Sequence, residues 1–286
     1  MKKALVTGSA GFVGSALVKA LKDRGVDTVG YDLRDGKSIF DEQLLSQSLV
    51  GVDTVFHLAA LVSVPESIKN PGEAYRINVE GTRAVLEAAK RVGVTRFVYS
   101  SSAAVYGNVS ELPLSEDGPT APLSPYGDSK LKGEELVRGA VGIETVALRY
   151  MNILGPGQDA SSPYAAVVPI FLQKIKVGEP LLIQGDGTQT RDFVYLDDVV
   201  SANIAAATAA GVRGMVFNIG SGVEVSLNEI VAVLEECLGR KLEVVYGPAR
   251  EGDIYRSVAD ISQAKTHLGW APTVSLQEAF ERILAA

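Results

Sequence analysis

A tyrosine and a lysine four residues apart could together carry acid–base chemistry. They are Tyr126 and Lys130 in the run YGDSK. On a helix, positions i and i+4 lie on one face, so the two side chains would be neighbours. An ammonium beside a phenol stabilises the phenolate and lowers the pKa of the phenol, which could then act as a base at neutral pH. The spacing alone is weak evidence, because any amphipathic helix can carry such a pair.

Three serines, Ser100, Ser101 and Ser102, follow an apolar run that predicts a strand. In doubly wound sheets, ligands bind outside the carboxyl ends of the strands. A serine at that position could form a hydrogen bond with a substrate hydroxyl. The alternative interpretation is an ordinary polar turn between a strand and a loop.

The run TGSAGFVG places Gly8, Gly11 and Gly14 at spacings of three residues, between a predicted strand and a predicted helix. In this context the glycines allow a tight turn and a close approach of the backbone to a pyrophosphate. The N–H groups at the start of the helix would bind its oxygens. A glycine-rich turn without a ligand is the less favoured interpretation.

Asp32 ends the second predicted strand, about 20 residues beyond the glycines, as a dinucleotide-binding motif requires. Its carboxylate would accept hydrogen bonds from ribose hydroxyls and repel a 2′-phosphate. The sequence therefore favours NAD over NADP, although Arg34 could soften that preference. Without a ligand, Asp32 would be a turn residue at the end of a strand.

Strand and helix signals alternate through the first half of the chain and predict an α/β fold with a doubly wound parallel sheet. Residues 35–49 are short for a full strand-and-helix unit. Residues 152–163 are rich in Gly, Pro, Ser and Asp and predict a loop. The remaining predicted strands are 4–7, 28–31, 54–58, 96–100, 144–148, 181–183, 215–219 and 242–246, and the predicted helices are 12–21, 72–91, 126–139, 165–176, 197–209, 227–238 and 275–284.

Composition excludes several classes of function. The 286-residue chain has a formal net charge of −7, which argues against nucleic acid as the main partner. The only cysteine is Cys237 and the only histidines are His57 and His267, so no metal site is expected. With neither a signal peptide nor an apolar run long enough to cross a membrane, the sequence predicts a cytoplasmic protein.

Taken together, these motifs resemble the extended short-chain dehydrogenase/reductase family. Within it, the chain is similar to the NAD-dependent epimerase/dehydratase group, above all to the UDP-glucose 4-epimerases. The resemblance covers nearly the whole chain. It rests on TGSAGFVG, HLAA, NVEGT, SSSAAVYG, YGDSK, RYMN, GDGTQTRDFVYLDD and REGD, which occur in family order.

The resemblance implies a Rossmann domain over residues 1–150 that binds NAD, with segments around 185–220 returning to it. Residues 151–286 would mainly form a smaller α/β lobe for the nucleotide-sugar. It also implies a homodimer formed through the helices predicted at 72–91 and 126–139. The implied cofactor-binding residues are Gly8, Gly11, Phe12, Val13, Gly14, Asp32, Leu33, Arg34, Ser38, Ile39, Leu58, Ala59, Ala60, Asn78, Ser100, Tyr126, Lys130 and Tyr150.

The same resemblance implies that Tyr126 is the general base and acid, with Lys130 as its electrostatic partner. Ser102 would form a hydrogen bond with the sugar 4-hydroxyl. Arginine side chains suit a diphosphate because their fork matches phosphate oxygens. The implied substrate-binding residues are Ser102, Tyr126, Asn152, Arg191, Arg250 and Asp253.

Dehydratases and decarboxylases of this group carry an acidic residue just after the catalytic serine or threonine, where this chain has Ala103 and Ala104. The resemblance then implies NAD-dependent 4-epimerisation of a UDP-hexose through a 4-keto intermediate. Two alternatives stay open. One is a nucleotide-sugar dehydrogenase or reductase, and the other is a non-catalytic NAD-binding protein, against which intact Ser102, Tyr126 and Lys130 argue.

Two departures from the family pattern bear on binding. Many relatives place an acidic and an aliphatic residue against adenine, whereas this chain has Ser38 and Ile39, without the acidic contact. Some narrow-range epimerases have a bulky tyrosine where this chain has Ser257. The smaller side chain leads to the hypothesis that N-acetylated sugars are also accepted.

Overall fold

Six strands form a parallel sheet in the computed structural model, which describes residues 1–158, 167–249 and 254–286. Most of their residues are buried, as expected for strands that are covered on both faces. The spatial order is β2-β1-β3-β4-β5-β9. The strands are β1 (Lys3–Thr7), β2 (Asp27–Tyr31), β3 (Thr54–His57), β4 (Arg96–Ser102), β5 (Glu144–Tyr150) and β9 (Met215–Ile219).

Helices cover both faces of this sheet. One apolar cluster joins the sheet to helices α1 and α8, and a second joins its other face to α2, α5 and α6. The helices are α1 (Phe12–Asp23), α2 (Glu42–Ser48), α3 (Val64–Lys69), α4 (Pro71–Tyr75), α5 (Gly81–Arg91), α6 (Pro125–Arg138), α7 (Val167–Val177), α8 (Leu196–Thr208), α9 (Leu227–Leu238) and α10 (Leu276–Leu284). In the part of the chain that the structure describes, no helix is both long and apolar enough to cross a membrane.

The strand order places a switch point between β1 and β3. The chain runs from β1 outward to β2 and then returns to the other side of β1 to form β3. Loops that leave neighbouring strands in opposite directions open a crevice at the carboxyl ends of those strands. The glycine turn, the HLAA run and the three serines all lie at this edge of the sheet.

A third apolar cluster lies apart from the six-stranded sheet and contains residues of α7, α9 and α10. Two small sheets contribute to it. Their strands are β6 (Asn152–Leu154), β7 (Leu181–Gln184), β8 (Thr190–Tyr195), β10 (Glu224–Ser226) and β11 (Val244–Gly247). The division of the chain into an NAD domain and a substrate lobe stays a prediction.

The prediction of an uninterrupted loop at 152–163 was wrong at its start. Residues Asn152–Leu154 form β6, which pairs in parallel with β8 so that Asn152 lies opposite Phe193. This strand is only three residues long, and the residue that pairs with Asn152 lies 41 positions further along the chain. Residues 159–163 of the predicted loop lie outside the described residues.

The helix predicted at 72–91 is interrupted. It consists of α4, a single wider π turn over Arg76–Glu80 and then α5. Wider turns of this kind are frequent at functional sites. The turn contains Asn78, whose amide bonds to residues outside the helix. The abbreviated segment 35–49 contains only one short helix, α2, which begins after the cap residue Asp41.

Close packing at Gly133 leads to a test of the contact between α6 and β4. A Cβ atom at Gly133 would lie 2.2 Å from the hydroxyl oxygen of Tyr99. Alanine normally stabilises a helix relative to glycine by up to about 1 kcal/mol. We expect Gly133→Ala instead to lower the free energy of unfolding by about 1–2 kcal/mol, because overpacking outweighs that gain. Urea denaturation measures the change.

Gly72→Ala is the matched control, because Gly72 is also helical and a Cβ there would meet nothing within 4 Å. It should leave the free energy of unfolding unchanged or raise it slightly. Equal effects of the two substitutions would contradict the proposed packing constraint.

Candidate active site

The start of α6 fixes the position of Tyr126. Ser124 caps the helix by accepting a hydrogen bond from the backbone N–H of Gly127 at 3.1 Å. Pro125 occupies the first helical turn, where its missing N–H costs nothing. The backbone N–H of Tyr126 donates to the hydroxyl of Ser67 at 3.0 Å, so that α3 also holds this turn.

Lys130 lies one turn further along α6 and is buried. Its Nζ donates a hydrogen bond of 2.6 Å to the carbonyl oxygen of Ser100 and lies 5.1 Å from the centre of the Tyr99 ring. Removal of the ammonium from water lowers the pKa of Lys130 to about 7. The lysine therefore joins the helix of Tyr126 to the end of β4.

The hydroxyl of Tyr126 lies close to that of Ser102. Burial raises the pKa of Tyr126, and the hydrogen bond with Ser102 opposes that rise. Ser102 itself accepts from the backbone N–H of Ala104 at 3.2 Å. In the protein chain alone burial dominates the pKa of Tyr126, and the lysine ammonium is bonded to Ser100. The expected lowering of that pKa by Lys130 stays a prediction. The catalytic roles of Ser102, Tyr126 and Lys130 stay predictions.

The glycines of TGSAGFVG are required by the fold itself. Gly8 has φ +69°, and a Cβ there would lie 2.8 Å from the backbone nitrogen of Ala59. A Cβ on Gly14 would lie 2.0 Å from the carbonyl oxygen of Gly8. Helix α1 then begins at Phe12 without a side-chain hydrogen bond at its cap residue, Gly11. Its first N–H groups are thus available to an anion, which fits the pyrophosphate of a dinucleotide.

Asp32 lies beside this turn. One carboxylate oxygen accepts from the backbone N–H of Ala10 and the other from that of Arg34, both at 2.9 Å. The guanidinium of Arg34 donates to the carbonyl oxygen of Ala10 at 2.9 Å. A carboxylate oxygen has two lone pairs, so Asp32 can still accept bonds from ribose hydroxyls. These residues fit a dinucleotide, and the predicted contacts of Phe12, Val13 and the exposed Leu33 with it stay predictions.

The HLAA run leaves β3 at the same edge. The hydroxyl of Thr7 accepts from the backbone N–H groups of Leu58 and Ala59, each at 3.1 Å. His57 lies 2.8 Å from Thr7 and 3.0 Å from Thr82 through its two ring nitrogens, and burial lowers its pKa to about 3. The histidine is therefore neutral and structural, and Ala60 follows in the loop that it supports.

Hydrogen bonds also bring Asn78, Ser100 and Tyr150 to this edge. The amide of Asn78 bonds to both backbone groups of Leu61, and its nitrogen donates to the hydroxyl of Ser129 on α6 at 2.9 Å. The hydroxyl of Tyr150 donates to Asn203 at 2.8 Å and also contacts the side chain of Ser100. Sequence reasoning missed the supporting residues, because Thr7, Thr82, Ser129 and Asn203 lie in segments whose pattern indicates only strand or helix.

Ser38 and Ile39 lie next to the end of β2. Ile39 is buried in the apolar core, where its Cδ1 occupies the space that a side chain at Gly81 would need. The carbonyl oxygen of Ser38 accepts from the hydroxyl of Tyr31 at 2.8 Å. Contact of these two residues with adenine stays a prediction.

Of the predicted substrate residues, Asn152 and Arg191 lie on the neighbouring strands β6 and β8. The guanidinium of Arg191 donates to the carbonyl oxygen of Thr190 at 2.8 Å. The buried carboxylate of Asp192 accepts from Ser221, Gly222 and Ala259 and holds this region together. The motif GDGTQTRDFVYLDD led to the prediction for Arg191 but gave no sign of the structural role of Asp192. Arg250 and Asp253 lie outside the described residues.

Comparisons with known proteins decide the family. The model of the NAD dependent epimerase/dehydratase family matches residues 4–220. The chain belongs to this family. The predicted resemblance is therefore confirmed.

Three solved structures cover 99% of this chain and 97–98% of their own. UDP-glucose 4-epimerase from Thermotoga maritima, solved with UDP-glucose, is 36% identical with a TM-score of 0.91. UDP-N-acetylglucosamine 4-epimerase from Methanobrevibacter ruminantium is 32% identical with a TM-score of 0.91. UDP-glucuronic acid 4-epimerase from Bacillus cereus, solved with UDP-glucuronic acid and NAD, is 34% identical with a TM-score of 0.89. The predicted Rossmann-type parallel sheet and NAD as cofactor are confirmed.

The buried ammonium of Lys130 generates a prediction about stability. Its pKa is about 7 in the folded chain, against an ordinary value of 10.5 for lysine. Between these values the unfolded chain binds more protons, so this group makes the folded protein more stable as the pH rises. We expect the free energy of unfolding of the nucleotide-free wild type, minus that of Lys130→Met, to increase between pH 7 and pH 9. Urea denaturation at each pH measures both values.

Lys132→Met is the control on the same helix, because Lys132 is about half exposed and Asp128 raises its pKa. The difference between this variant and the wild type should stay constant over the same pH range. A constant difference for Lys130→Met as well would show that its ammonium is not destabilised by burial.

Asp32 supplies a second prediction, on cofactor affinity. We expect Asp32→Asn to weaken NAD binding about 10- to 100-fold, because hydrogen bonds to a charged acceptor are worth about 1.5–3 kcal/mol. Isothermal titration calorimetry measures the affinity. Asp35→Asn, in the exposed turn that follows, is the control and should bind NAD like the wild type. Undiminished affinity of Asp32→Asn would rule out the proposed ribose contact.

Proposed function

We propose that this protein catalyses NAD-dependent 4-epimerisation of a UDP-hexose. The observation that carries the proposal is the bond of 2.6 Å from the buried ammonium of Lys130 to the carbonyl oxygen of Ser100. This bond holds the helix of Tyr126 against the carboxyl end of β4, where Ser102 lies. Two hydroxyls and one ammonium suffice to bind an alcohol, remove its proton and give the proton back.

In the proposed reaction, the hydroxyl of Ser102 holds O4 of the sugar and the phenolate of Tyr126 takes the proton of the 4-hydroxyl. The glycine turn and Asp32 would hold NAD, which would serve as acceptor and later donor of the hydride at C4. The keto group at C4 then remains next to Ser102. After the 4-keto sugar has rotated to present its opposite face, the phenol of Tyr126 gives its proton back to O4. The positive charge of Lys130 favours the phenolate during the step in which Tyr126 acts as the base.

Ala103 and Ala104 support epimerisation over elimination. They form the short helical turn directly after Ser102 and carry no group that could transfer a proton. A dehydrogenase or reductase would use the same three residues, and it is the second candidate. It would consume NAD or NADH in proportion to product, whereas an epimerase would regenerate its cofactor in each turnover.

We propose UDP-glucose and UDP-galactose as substrates and extend the range to their N-acetyl forms. The side chain at the position of the bulky tyrosine in some narrow-range epimerases is that of Ser257, which is small and only 8% exposed. One similar protein is named for UDP-N-acetylglucosamine and another for UDP-glucuronic acid. These names support a site whose 4-position chemistry is separate from its choice of sugar substituents.

We further propose that the protein is a cytoplasmic homodimer. The support for a dimer is the family resemblance together with the exposed apolar side chains of Ile68 and Leu123, which lie near the N-terminal end of α6. Light scattering of the purified protein measures its mass and so tests the oligomeric state. A monomeric mass at micromolar concentration would contradict the dimer.

The substrate range is tested with UDP-glucose, UDP-galactose and the two N-acetyl forms. Each is incubated with the pure protein, with and without added NAD, and the products are separated by chromatography. We expect interconversion within each pair without net formation of NADH. Product formed only in proportion to added NAD would favour the dehydrogenase, and activity confined to the unacetylated pair would contradict the proposed substrate range.

The role of Tyr126 is tested by Tyr126→Phe. We expect kcat to fall about 10²- to 10⁴-fold while NAD affinity stays unchanged, because only the proton-transferring hydroxyl is lost. Tyr246→Phe, which removes the hydroxyl of a half-exposed tyrosine on β11, should retain wild-type kcat. Full activity of Tyr126→Phe would contradict the mechanism.

A further inference from the structure

Helix α6 has a third polar residue on the face that carries Tyr126 and Lys130. Glu134 follows Lys130 by four residues, and its side chain is only 1% exposed. Buried carboxylates are rare unless they are paired and hydrogen-bonded. This carboxylate lies about two helical turns from the proposed catalytic phenol and belongs to no part of the reaction described above.

Every contact of the Glu134 carboxylate leads to the central sheet. Its Oε2 accepts a hydrogen bond from the hydroxyl of Ser101 at 2.9 Å and another from Nε of Arg149 at 3.0 Å. Its Oε1 accepts from a terminal nitrogen of Arg149 at 2.7 Å. Ser101 on β4 and Arg149 on β5 lie opposite each other in the strand register. One carboxylate therefore bonds a helix to two strands at once.

Arg149 is as enclosed as its partner, with 2% of its side chain exposed. Its remaining terminal nitrogen donates to the carbonyl oxygen of Glu116 at 3.2 Å, and its guanidinium lies 4.7 Å from the centre of the Tyr106 ring. The planar fork of arginine forms two parallel bonds with a carboxylate and thereby fixes both distance and angle.

Stability alone is a poor reason for such a pair. A buried ion pair can often be replaced by apolar residues of similar volume without loss of stability, since desolvation offsets the attraction. The best-attested use of buried polar contacts is to fix one register among several. Here the register in question is the position of α6 along β4.

We propose that Glu134 is a positioning residue, whose bonds to Ser101 and Arg149 set the position of α6 on β4 and so bring Tyr126 to Ser102. This inference rests on the proposed function. Ser101 is the chain neighbour of Ser102, so the bonded point and the reacting point on the strand are one residue apart. On the helix they are eight residues apart, about 12 Å at 1.5 Å per residue, and a rigid helix transmits any shift between them.

The central test compares Glu134→Gln with the double variant Glu134→Leu/Arg149→Met. Glu134→Gln keeps the shape of the side chain but directs an amide donor at the guanidinium. A misplacement of about 1 Å can cost about 100-fold in rate, so we expect kcat to fall about 10- to 100-fold with the KM for UDP-galactose within about threefold. The matched control is Lys132→Gln, at an exposed position of the same helix.

The double variant separates positioning from stability. Its apolar pair fills the same space, so its urea midpoint should return toward that of the wild type. Its kcat should stay low, because the directional bonds from Glu134 to Ser101 and Arg149 are then lost and apolar packing does not replace them. Recovery of both the midpoint and kcat would overturn the proposal and leave the pair a purely structural one.

The pH profile gives a readout that lower stability would not change. Ser102 opposes the rise in the pKa of Tyr126, so a longer distance between their hydroxyls should move the acid limb of kcat/KM for Glu134→Gln to higher pH. If Glu134→Gln had the same acid limb of kcat/KM and the same kcat as the wild type, the proposal would also be overturned.

A crystal structure of Glu134→Gln keeps this test independent of the proposed function. We expect a longer separation between Ser102 Oγ and Tyr126 Oη than in a crystal structure of the wild type. If the wild type turned over none of the UDP-sugars, the proposed function would fail while this separation would still test the positioning role. An unchanged separation would overturn the inference even in an active enzyme.

Discussion

The contact between α6 and the end of β4 determines whether the rest of the site can work. Two charged side chains of α6 form polar bonds with β4: the ammonium of Lys130 donates to the carbonyl oxygen of Ser100, and the carboxylate of Glu134 accepts from the hydroxyl of Ser101. Both are buried, where an unpaired charge would be costly, so the helix has few alternative positions in which these groups remain satisfied. The bonds that satisfy the charges of Lys130 and Glu134 therefore also fix the helix that carries the phenol of Tyr126.

The glycine turn shows how one constraint can serve both folding and binding. At Gly8 and Gly14 a side chain would collide with the backbone of the protein itself, before any ligand is considered. The resulting turn nevertheless leaves the first N–H groups of α1 uncapped by side chains and brings Asp32 next to Ala10. A glycine pattern alone is therefore evidence for the turn, and the carboxylate at the end of β2 is what makes the turn suitable for a dinucleotide.

The alternating sheet and the helix of Tyr126 could be predicted from sequence because their signals are local. Apolar runs identified the strands of the central sheet, and Ser124 and Pro125 give α6 an ordinary helix start. The strand at Asn152 could not be predicted, because three residues whose pairing partner β8 is distant in sequence have no pattern of their own. The same holds for the hydroxyls around His57, since Thr7 and Thr82 are far apart in sequence and meet only in the folded chain. The π turn at Asn78 was missed because its residues fit an ordinary helix.

The three consecutive serines show why the roles of site residues could not be assigned from sequence alone. The sequence does not distinguish them, but successive side chains of a strand point to opposite faces of the sheet. Ser100 therefore contacts Tyr150 and Ser102 contacts Tyr126, whereas Ser101 turns to the opposite face and bonds Glu134. The pleat of one strand thus separates the hydroxyl proposed to hold the substrate from the hydroxyl that holds the helix. Because adjacent residues carry these two proposed roles, we expect any change in the position of the helix to change the distance between the hydroxyls of Ser102 and Tyr126.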